Sequence, residues 1–180
     1  MDTRVSLAFQ RFDQAELRFC RYLNRSSGYR AVREAFAVIS WLGDGKFWYC
    51  LMLAFPLVYG TWQASIHMGL TGLAGLLIYK GIKERAVRER PYITHEAISC
   101  AAAPLDRYSF PSGHTLHAVS FTLVALTYHP EWALPLITFS VLVALSRVIL
   151  GLHYPTDVAA GALLGGGLAM AGMTIAERVV

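Results

Sequence analysis

LPLITFSVLVALSRVILGLHYPTD, residues 134–157, is a long apolar run that ends in three polar groups, Arg147, His153 and Asp157. Such a run is either a membrane span that emerges into water or the wall of a reactive pocket. The composition and the charge pattern of the rest of the chain decide between these two interpretations.

The composition of the chain favours a membrane protein. Its 180 residues suffice for one domain, and they are 55% hydrophobic and only 16% charged, whereas soluble domains carry about 25% charged residues. A soluble all-α bundle with buried helices is the alternative, but the apolar runs lack the polar face that surface helices need. Residues 1–33 are charged throughout and do not resemble a signal peptide. Three scattered cysteines predict neither disulfides nor zinc: Cys20, Cys50 and Cys100.

The apolar segments predict membrane spans. No charged residue occurs in residues 47–79, a stretch too long for one span of about 20 residues, and YGTWQ at 59–63 supplies a turn in its middle. Between residues 108 and 146 the only charge is Glu131, which predicts a second hairpin. The predicted spans are about 46–60, 64–80, 113–128, 132–150 and 158–176. The last span holds glycines suited to close helix packing: Gly161, Gly165, Gly166, Gly167 and Gly172.

The first 25 residues predict an amphipathic helix. At about 100° per residue, one face carries Val5, Phe9, Phe12, Phe19 and Leu23, and the opposite face carries Arg4, Arg11, Arg18, Arg21 and Arg25. Such a helix is typical of a membrane surface, with arginines at anionic headgroups; a cap packed on its own bundle is the alternative. Residues 34–44 predict an interfacial or re-entrant segment. The fold class is therefore all-α: interfacial helices at 1–44, then a polytopic membrane-embedded bundle of about five transmembrane helices at 45–180.

The topology brings three polar segments to one side of the membrane. Lys83 and Arg90 follow the second span, PSGH at 111–114 opens the third, and His153 and Asp157 lie between the fourth and fifth. Because two hairpin reversals separate the segments, all of them emerge on the same side. The spans were assigned from the apolar runs and turns, not from these polar residues. Their position on one side of the membrane therefore indicates one common site.

A phosphate ligand would give each of these segments a task. Ser112 and Gly113 open a helix, and the unpaired N–H groups of a helix N-terminus favour anions. Lys83, Arg90 and Arg147 can neutralise phosphoryl oxygens, the arginines bidentately. We therefore expect neither a metal nor another cofactor. Nucleic acid, the other partner that basic clusters suggest, is less compatible with so apolar a chain than lipid headgroups are.

The two histidines of these segments differ in their surroundings. His153 precedes Asp157 by four residues, and a helix that starts near Pro155 lets this carboxylate accept a hydrogen bond from the imidazole. That bond would fix the tautomer and make the other ring nitrogen nucleophilic. His114 is then available to protonate a leaving oxygen. His67 and His117 are as readily packing residues, and we assign neither of them a catalytic role.

The three segments together resemble the signature of the type 2 phosphatidic acid phosphatase family. That signature is Lys-x6-Arg-Pro, Pro-Ser-Gly-His and Ser-Arg-x5-His-x3-Asp. KERAVRERP (83–91), PSGH (111–114) and SRVILGLHYPTD (146–157) match it at every position. The resemblance implies the fold of the family's integral membrane members, a six-helix bundle with the active site near one membrane face. In this chain the arginine-rich helix stands where their first span is expected.

The resemblance implies a mechanism and a substrate class. His153 would be the nucleophile that forms a phosphohistidine, with Asp157 as its orienting partner, and His114 would be the general acid that later activates water. The phosphoryl group would be bound by Lys83, Arg90, Ser112, Gly113 and Arg147. The implied substrates are lipid phosphates of the phosphatidylglycerophosphate, phosphatidic acid or polyprenyl (pyro)phosphate type.

Two other functions are compatible with such a pocket. Vanadate-dependent haloperoxidases share the resemblance, but they are soluble and longer. A protein that binds or transports lipid headgroups would need the cations but no nucleophile. The site-bearing side also carries the N-terminal arginines, whereas the opposite side has Arg178 almost alone. The positive-inside rule therefore predicts an inner (plasma) membrane protein whose site faces the cytoplasm.

Overall fold

The chain folds into helices, as its sequence predicts. A computed structural model describes the backbone of residues 3–179 and the side chains of residues 13–176 and 178. Across this described part the regular structure is helical and includes no strand, which confirms the all-α fold class. The helices are α1 Thr3–Asn24, α2 Arg30–Trp41, α3 Phe47–Tyr59, α4 Gln63–Ala86, α5 Pro91–Thr94, α6 Gly113–Tyr128, α7 Ala133–Ile149 and α8 Pro155–Val179.

Two of these helices are long and apolar enough to cross a membrane. The segments Pro130–Ile149 and Pro155–Ala176 reach mean hydropathies of 1.9 and 1.7. Helices α3 and α6 have 13 and 16 residues, fewer than the about 20 that a full span takes. Helix α4 runs to Ala86, past the predicted end at residue 80, and carries charges in its last turn. Within the described chain, two helices thus have the length and hydropathy of a membrane span. The number of five spans stays a prediction.

The outer surface of the bundle is apolar. Large side chains on α3, α4, α7 and α8 face outward, among them Leu57, Leu70, Leu134 and Leu163, which are 64–85% exposed. A soluble protein rarely exposes so many large apolar side chains together, which argues against the soluble bundle. The interior is formed by α3, α4, α6, α7 and α8 and includes Trp48, Phe55, Met68, Phe121, Val124, Leu136, Val143 and Ala169.

Glycines let α8 pack closely against α6. A Cβ atom at Gly161 would lie 2.4 Å from the carbonyl oxygen of Ser112, and one at Gly165 would lie 2.3 Å from that of Leu116. A side chain at either position would force the two helices apart. The contact therefore sets the distance between the start of α6 and the start of α8, which carry the PSGH and His-x3-Asp residues.

Helix α1 packs against the bundle through a face that its amphipathic pattern did not predict. Glu16, Cys20 and Asn24, spaced four residues apart, are all buried. Of the described members of the predicted apolar face, Phe19 is 51% exposed and Leu23 packs against the cluster around Cys20. Leu17, which was not assigned to that face, packs against the same cluster. The side chains of Val5, Phe9 and Phe12 and those of Arg4 and Arg11 lie outside the described residues. Arg18, Arg21 and Arg25 are exposed.

The end of α1 and the end of α2 are both fixed to the bundle. The Asn24 amide donates hydrogen bonds to the carbonyls of Ser99 and Ile149 at 3.0 and 2.9 Å. Helix α2, in the segment predicted to be interfacial, packs on α7, and a Cβ atom at Gly43 would lie 2.8 Å from the Val143 side chain. Residues 13–44 thus contact the apolar helices of the bundle directly, α7 among them.

Candidate active site

A cavity of about 360 Å³ lies at the end of the bundle where α6 begins and α7 ends. Six of the eight predicted site residues line it: Lys83, Arg90, Gly113, His114, Arg147 and His153. The other two, Ser112 and Asp157, are fully buried. The structure thus brings the three distant segments together, as the topology predicts. The role of each residue in catalysis stays a prediction.

The PSGH turn places a helix N-terminus at the cavity. Ser112 is the N-cap residue of α6, and its hydroxyl oxygen accepts the Thr115 N–H at 3.4 Å. The Ser112 N–H donates to the carbonyl oxygen of Asp157 at 3.0 Å, which ties this turn to the start of α8. Gly113 lines the cavity with its backbone, and a helix N-terminus in that position favours an anion.

The turn between α7 and α8 presents His153. Gly151 adopts a φ of +74°, and a Cβ atom there would lie 2.4 Å from the carbonyl oxygen of Ser99. Glycine is therefore required for the chain to reverse at this point. The reversal lets the N–H of His153 donate to the carbonyl oxygen of Arg147 at 3.0 Å, and the imidazole is 2% exposed.

The hydrogen-bond partners of His153 assign its tautomer. Its Nε2 atom lies 3.3 Å from Nη1 of Arg90, and because a guanidinium can only donate, Nε2 is the acceptor. The proton therefore resides on Nδ1, which lies 3.6 Å from Oδ2 of Asp157. That separation exceeds a normal hydrogen bond, and Nδ1 has no other hydrogen-bond partner, so the predicted hydrogen bond between His153 and Asp157 is not formed, although the two side chains are neighbours. Nε2 is therefore the ring nitrogen that carries no proton.

The environment of His153 keeps its ring neutral. Burial lowers the pKa of His153 well below the ordinary value of 6.5, and the positive charges of Arg147, Arg90 and Lys83 lower it further. The carboxylate of Asp106, which lies nearby and binds Lys83 and Arg90, opposes this shift without cancelling it. A neutral imidazole, with one ring nitrogen unprotonated, is the form that a nucleophile requires.

We expect the His153 imidazole to titrate well below pH 6.5. As the pH falls from 7, the ring should stay neutral until the solution approaches this lowered pKa, because protonation adds a buried positive charge beside three others. ¹⁵N shifts of histidine-labelled protein in detergent measure the midpoint, with His153→Gln identifying the signal. A midpoint at or above 6.5 would contradict this assignment.

Asp106 forms ion pairs with Lys83 and Arg90, the two cationic residues of the KERAVRERP segment. Its carboxylate accepts from Lys83 Nζ at 2.8 and 2.9 Å and from Arg90 Nη2 at 2.7 Å. Burial acts to raise the pKa of Asp106, but the hydrogen bonds and charges of Lys83 and Arg90 outweigh it and hold the pKa below its ordinary value. The sequence analysis missed this residue. Its signal is a lone carboxylate in the otherwise apolar segment 101–106.

Arg147 carries a hydrogen-bond donor that the protein leaves unused. The side chain is 2% exposed, and its Nη1 donates to the hydroxyl of Ser40 on α2. Its Nε atom is buried and has no partner, and none of the described carboxylates forms an ion pair with it. Because an unpaired buried charge is costly, this guanidinium indicates a site built to receive an anion.

A second carboxylate lies beside His114. Asp44, in the π turn Leu42–Lys46 between α2 and α3, places Oδ1 3.8 Å from Nε2 of His114. Both residues line the cavity. The Gly-Asp-Gly sequence at 43–45 is typical of such a turn, but no sequence pattern indicated that its carboxylate lies beside His114.

The remaining histidines near the helices have packing partners. Nε2 of His117 lies 3.1 Å from the carbonyl oxygen of Gly72 on α4, although its ring also borders the cavity. His67 lies 3.2 Å from the hydroxyl of Tyr128, far from the site residues in the fold. Among the described side chains, no group of three or more His, Cys, Asp or Glu is arranged to hold a metal ion.

The far part of the cavity is apolar. Its wall is formed by side chains of α3, α4 and α6: Trp48, Met52, Leu73, Leu76 and Phe121. The backbones of Gly69 and Gly72 also border it. A cation-lined pocket that continues into an apolar groove between helices suits a ligand with a phosphate at one end and a hydrocarbon chain at the other.

Two known proteins with similar sequences are phosphatases by name. Undecaprenyl-diphosphatase BcrC of Bacillus subtilis is 34% identical over 113 residues, 61% of this chain and 58% of that protein. Decaprenylphosphoryl-5-phosphoribose phosphatase of Mycobacterium tuberculosis is 42% identical over 85 residues, 47% of this chain and 45% of that protein. The chain thus spans about half the length of the curated relatives it matches.

Solved structures share the fold over nearly the whole chain. A transmembrane PAP2 type phosphatidylglycerolphosphate phosphatase from Bacillus subtilis aligns with a TM-score of 0.72 at 26% identity, covering 96% of this chain and 88% of that one. LpxE of Aquifex aeolicus aligns with a TM-score of 0.77 at 24% identity, covering 88% and 94%, and shows the fold alone. The family model described as PAP2 superfamily matches residues 61–180. Since that range is more than half of the chain and contains all three segments that meet at the cavity, the chain belongs to the PAP2 superfamily.

Proposed function

We propose that this protein is an integral membrane phosphatase that hydrolyses a lipid phosphate without a metal ion, through a phosphohistidine on His153. The observation that carries the proposal is the unpaired, buried Nε of Arg147 in the same cavity as a neutral, lone-pair-bearing Nε2 of His153. An anion receptor and a nucleophile at one point are what phosphoryl transfer needs.

The geometry supports a two-step reaction. In the first step Nε2 of His153 attacks phosphorus, the bond from phosphorus to the leaving oxygen breaks, and protonated His114 gives that oxygen its proton. In the second step neutral His114 takes a proton from water, the water oxygen attacks phosphorus, and the phosphorus–nitrogen bond breaks. Inorganic phosphate and the original His153 result. Lys83, Arg90, Arg147 and the N-terminus of α6 stabilise the charge on the phosphoryl oxygens.

The substrate class follows from the apolar part of the cavity and from the relatives. Undecaprenyl-diphosphatase, decaprenylphosphoryl-5-phosphoribose phosphatase and lipid A 1-phosphatase all name lipid-linked phosphates. We therefore propose a polyprenyl (pyro)phosphate, a phosphatidic acid or a phosphatidylglycerophosphate as the substrate. A hydrocarbon chain in the groove between α3 and α4 would place the phosphate among the cations.

The proposal is tested by phosphate release in detergent. Purified protein is incubated with a chelator and with undecaprenyl diphosphate, phosphatidic acid or phosphatidylglycerophosphate. We expect metal-free release of phosphate from at least one of them. Halide oxidation that requires added vanadate would instead indicate a haloperoxidase, and lipid binding without release from any substrate would indicate a headgroup-binding protein.

Filling the apolar groove should discriminate between substrates by chain length. A Cβ atom at Gly69 meets no neighbouring atom within 4 Å, so Gly69→Leu adds an isobutyl group to the groove without a clash at its base. We expect kcat/KM to fall about tenfold for a long-chain substrate and little for a dihexanoyl analogue, because losing the contacts of slightly fewer than two methylenes, at about 0.8 kcal/mol each, costs that much. Phosphate release from both lipids measures the ratio.

Gly81→Leu is the matched control for this substitution. Gly81 also lies on α4 with free space around its Cβ position, but it does not line the cavity. Equal losses on long and short substrates, or equal losses in the two variants, would show that the groove does not hold the lipid chain.

We also propose the membrane arrangement that the sequence predicts: five spans in residues 45–180, with residues 1–44 as interfacial helices at the site-bearing end. Supporting this, Asn24 and Glu16 of α1 bond to groups next to the cavity, so the exposed Arg18, Arg21 and Arg25 lie at that end. By the positive-inside rule this end faces the cytoplasm.

Sidedness is tested with a single engineered cysteine. Gly28→Cys, at an exposed position with free space, is made after Cys20, Cys50 and Cys100 are replaced. A membrane-impermeant maleimide should leave it unlabelled in intact cells and label it after lysis. Labelling in intact cells would place the active site on the outer face.

A further inference from the structure

Asp157 is held by more than its histidine neighbour. The carboxylate is fully buried, and its Oδ2 accepts the N–H of Tyr154 at 2.8 Å. Its Oδ1 accepts from Nη1 of Arg88 at 2.7 Å. The arginine thus occupies one oxygen and leaves the other to face Nδ1 of His153.

Arg88 has partners at both ends of its guanidinium and does not line the cavity, although its side chain is 31% exposed. Its Nη1 also donates to the hydroxyl of Thr156 at 2.7 Å, and its Nη2 donates to Glu16 Oε2 at 2.9 Å. The guanidinium lies 4.0 Å from the centre of the Tyr154 ring. The Arg88 carbonyl accepts the N–H of Ser109 at 2.8 Å, which fixes the backbone as well. A side chain so constrained can set the position of the group it binds.

Glu16, on the N-terminal helix α1, binds both Arg88 and Thr156. Its side chain is 5% exposed, and its Oε1 accepts the backbone N–H of Thr156 at 2.8 Å and also the Thr156 hydroxyl. One carboxylate therefore holds both the far side of Arg88 and the first turn of α8. Glu16 lies on α1, outside residues 61–180 that match the family model.

We propose that Arg88 and Glu16 are positioning residues for the nucleophile, acting through Asp157, so that α1 is part of the catalytic apparatus. The proposal rests on the proposed function for its effect on rate. Without Arg88, the buried carboxylate would lose its cationic partner and keep neutral donors such as the Tyr154 N–H. It would then take up a proton or turn away, since an unpaired buried charge is costly.

The charges of the three residues suit the reaction. Glu16 and Asp157 carry one negative charge each and Arg88 carries one positive charge, so the group has a net charge of −1. When His153 accepts a phosphoryl group its ring becomes cationic, and Asp157 is placed to stabilise it. Loss of the carboxylate's charge or alignment would remove this stabilisation and the control of the tautomer.

Substitutions separate positioning from packing. In Arg88→Ala we expect kcat to fall about 100-fold with KM within about threefold, because partners that orient a reacting ligand typically contribute 10- to 100-fold and Arg88 does not contact the cavity. Arg88→Lys should recover about tenfold of this loss, and Glu16→Gln should lose about tenfold in kcat. The substrate is whichever lipid in the panel the parent hydrolyses fastest.

Matched controls come from exposed residues. Arg85→Ala removes an exposed arginine at the end of α4, and Glu34→Gln removes an exposed carboxylate that pairs with Arg30. Both should retain the parent's kcat within about twofold. Gel filtration in detergent establishes that each variant is folded.

The His153 tautomer gives a second measurement that does not depend on activity. ¹⁵N shifts of labelled histidine should show the Nδ1–H tautomer in the parent and a mixed population in Arg88→Ala and Glu16→Gln. An unchanged tautomer together with unchanged kcat in an active protein would overturn the positioning role. A shifted tautomer in a protein that releases no phosphate would uphold it and reject the proposed function instead.

Discussion

His153→Ala is expected to reduce phosphate release by at least about 10,000-fold, since removing a covalent nucleophile eliminates the two-step route. The remaining cations and the α6 N-terminus would still bind the phosphate, so KM should change little. The measurement is phosphate release with a chelator present, for the lipid that the parent hydrolyses fastest. Rapid acid-free quenching with ³²P-labelled substrate should show a base-stable phosphoprotein in the parent and none in the variant.

His129→Ala is the matched control for this result. His129 is also buried, but it stacks on Tyr59 at 3.8 Å at the opposite end of α6. It should keep the parent's kcat and phosphoprotein label, provided that both variants elute as folded protein. Activity of His153→Ala within tenfold of the parent would show that the nucleophile is a different group.

Arg147 substitutions are expected to separate catalysis from stability. Arg147→Lys should lower kcat/KM about 100-fold, because lysine keeps the charge but lacks the fork that binds two phosphoryl oxygens. Arg147→Met should lower kcat/KM about 1,000-fold, a typical loss for a removed electrostatic donor. It should nevertheless unfold at an equal or higher temperature when no phosphate is present, because it removes an unpaired buried charge. Phosphate release and thermal unfolding in detergent measure the two effects.

The stabilising effect of inorganic phosphate provides an independent check. Phosphate should raise the unfolding temperature of the parent and of Arg178→Lys, an exposed arginine at the end of α8, but not that of Arg147→Met. If Arg147→Met kept both its activity and its response to phosphate, the anion would bind elsewhere.

The sequence predicted the site residues through topology. The apolar runs set the hairpins, and the hairpins put Lys83, His114 and His153 at one end of the bundle, where the structure has them around one cavity. The start of α8 at Pro155 and the cap at Ser112 also agree with the sequence. Such features depend on the helix and turn propensities of neighbouring residues, and on the need of a chain in lipid to satisfy its backbone hydrogen bonds within a helix. Both can be evaluated from the sequence without knowing how the helices pack.

The supporting residues were not predicted, because no local feature identifies the partners that they bind. Arg88 lies among other basic residues in the sequence, yet it pairs with Asp157 across the fold. Asp106 lies in an irregular loop, and Asp44 lies in a turn whose position depends on α2. Each of these residues acquires its role from a partner distant in the chain, and no spacing rule encodes that partner.

The sequence by itself determined that the chain is a helical protein whose three polar segments share one end, because periodicity, hydropathy and turn residues fix these features locally. Only the tertiary structure decided which charges neutralise one another. Asp106 binds Lys83 and Arg90, and Arg88 is shared between Asp157 and Glu16. Arg147 forms no ion pair with any carboxylate of the described residues. Coulomb interactions and desolvation depend on distances in three dimensions and on burial. The packing of α1 and α8 sets those distances.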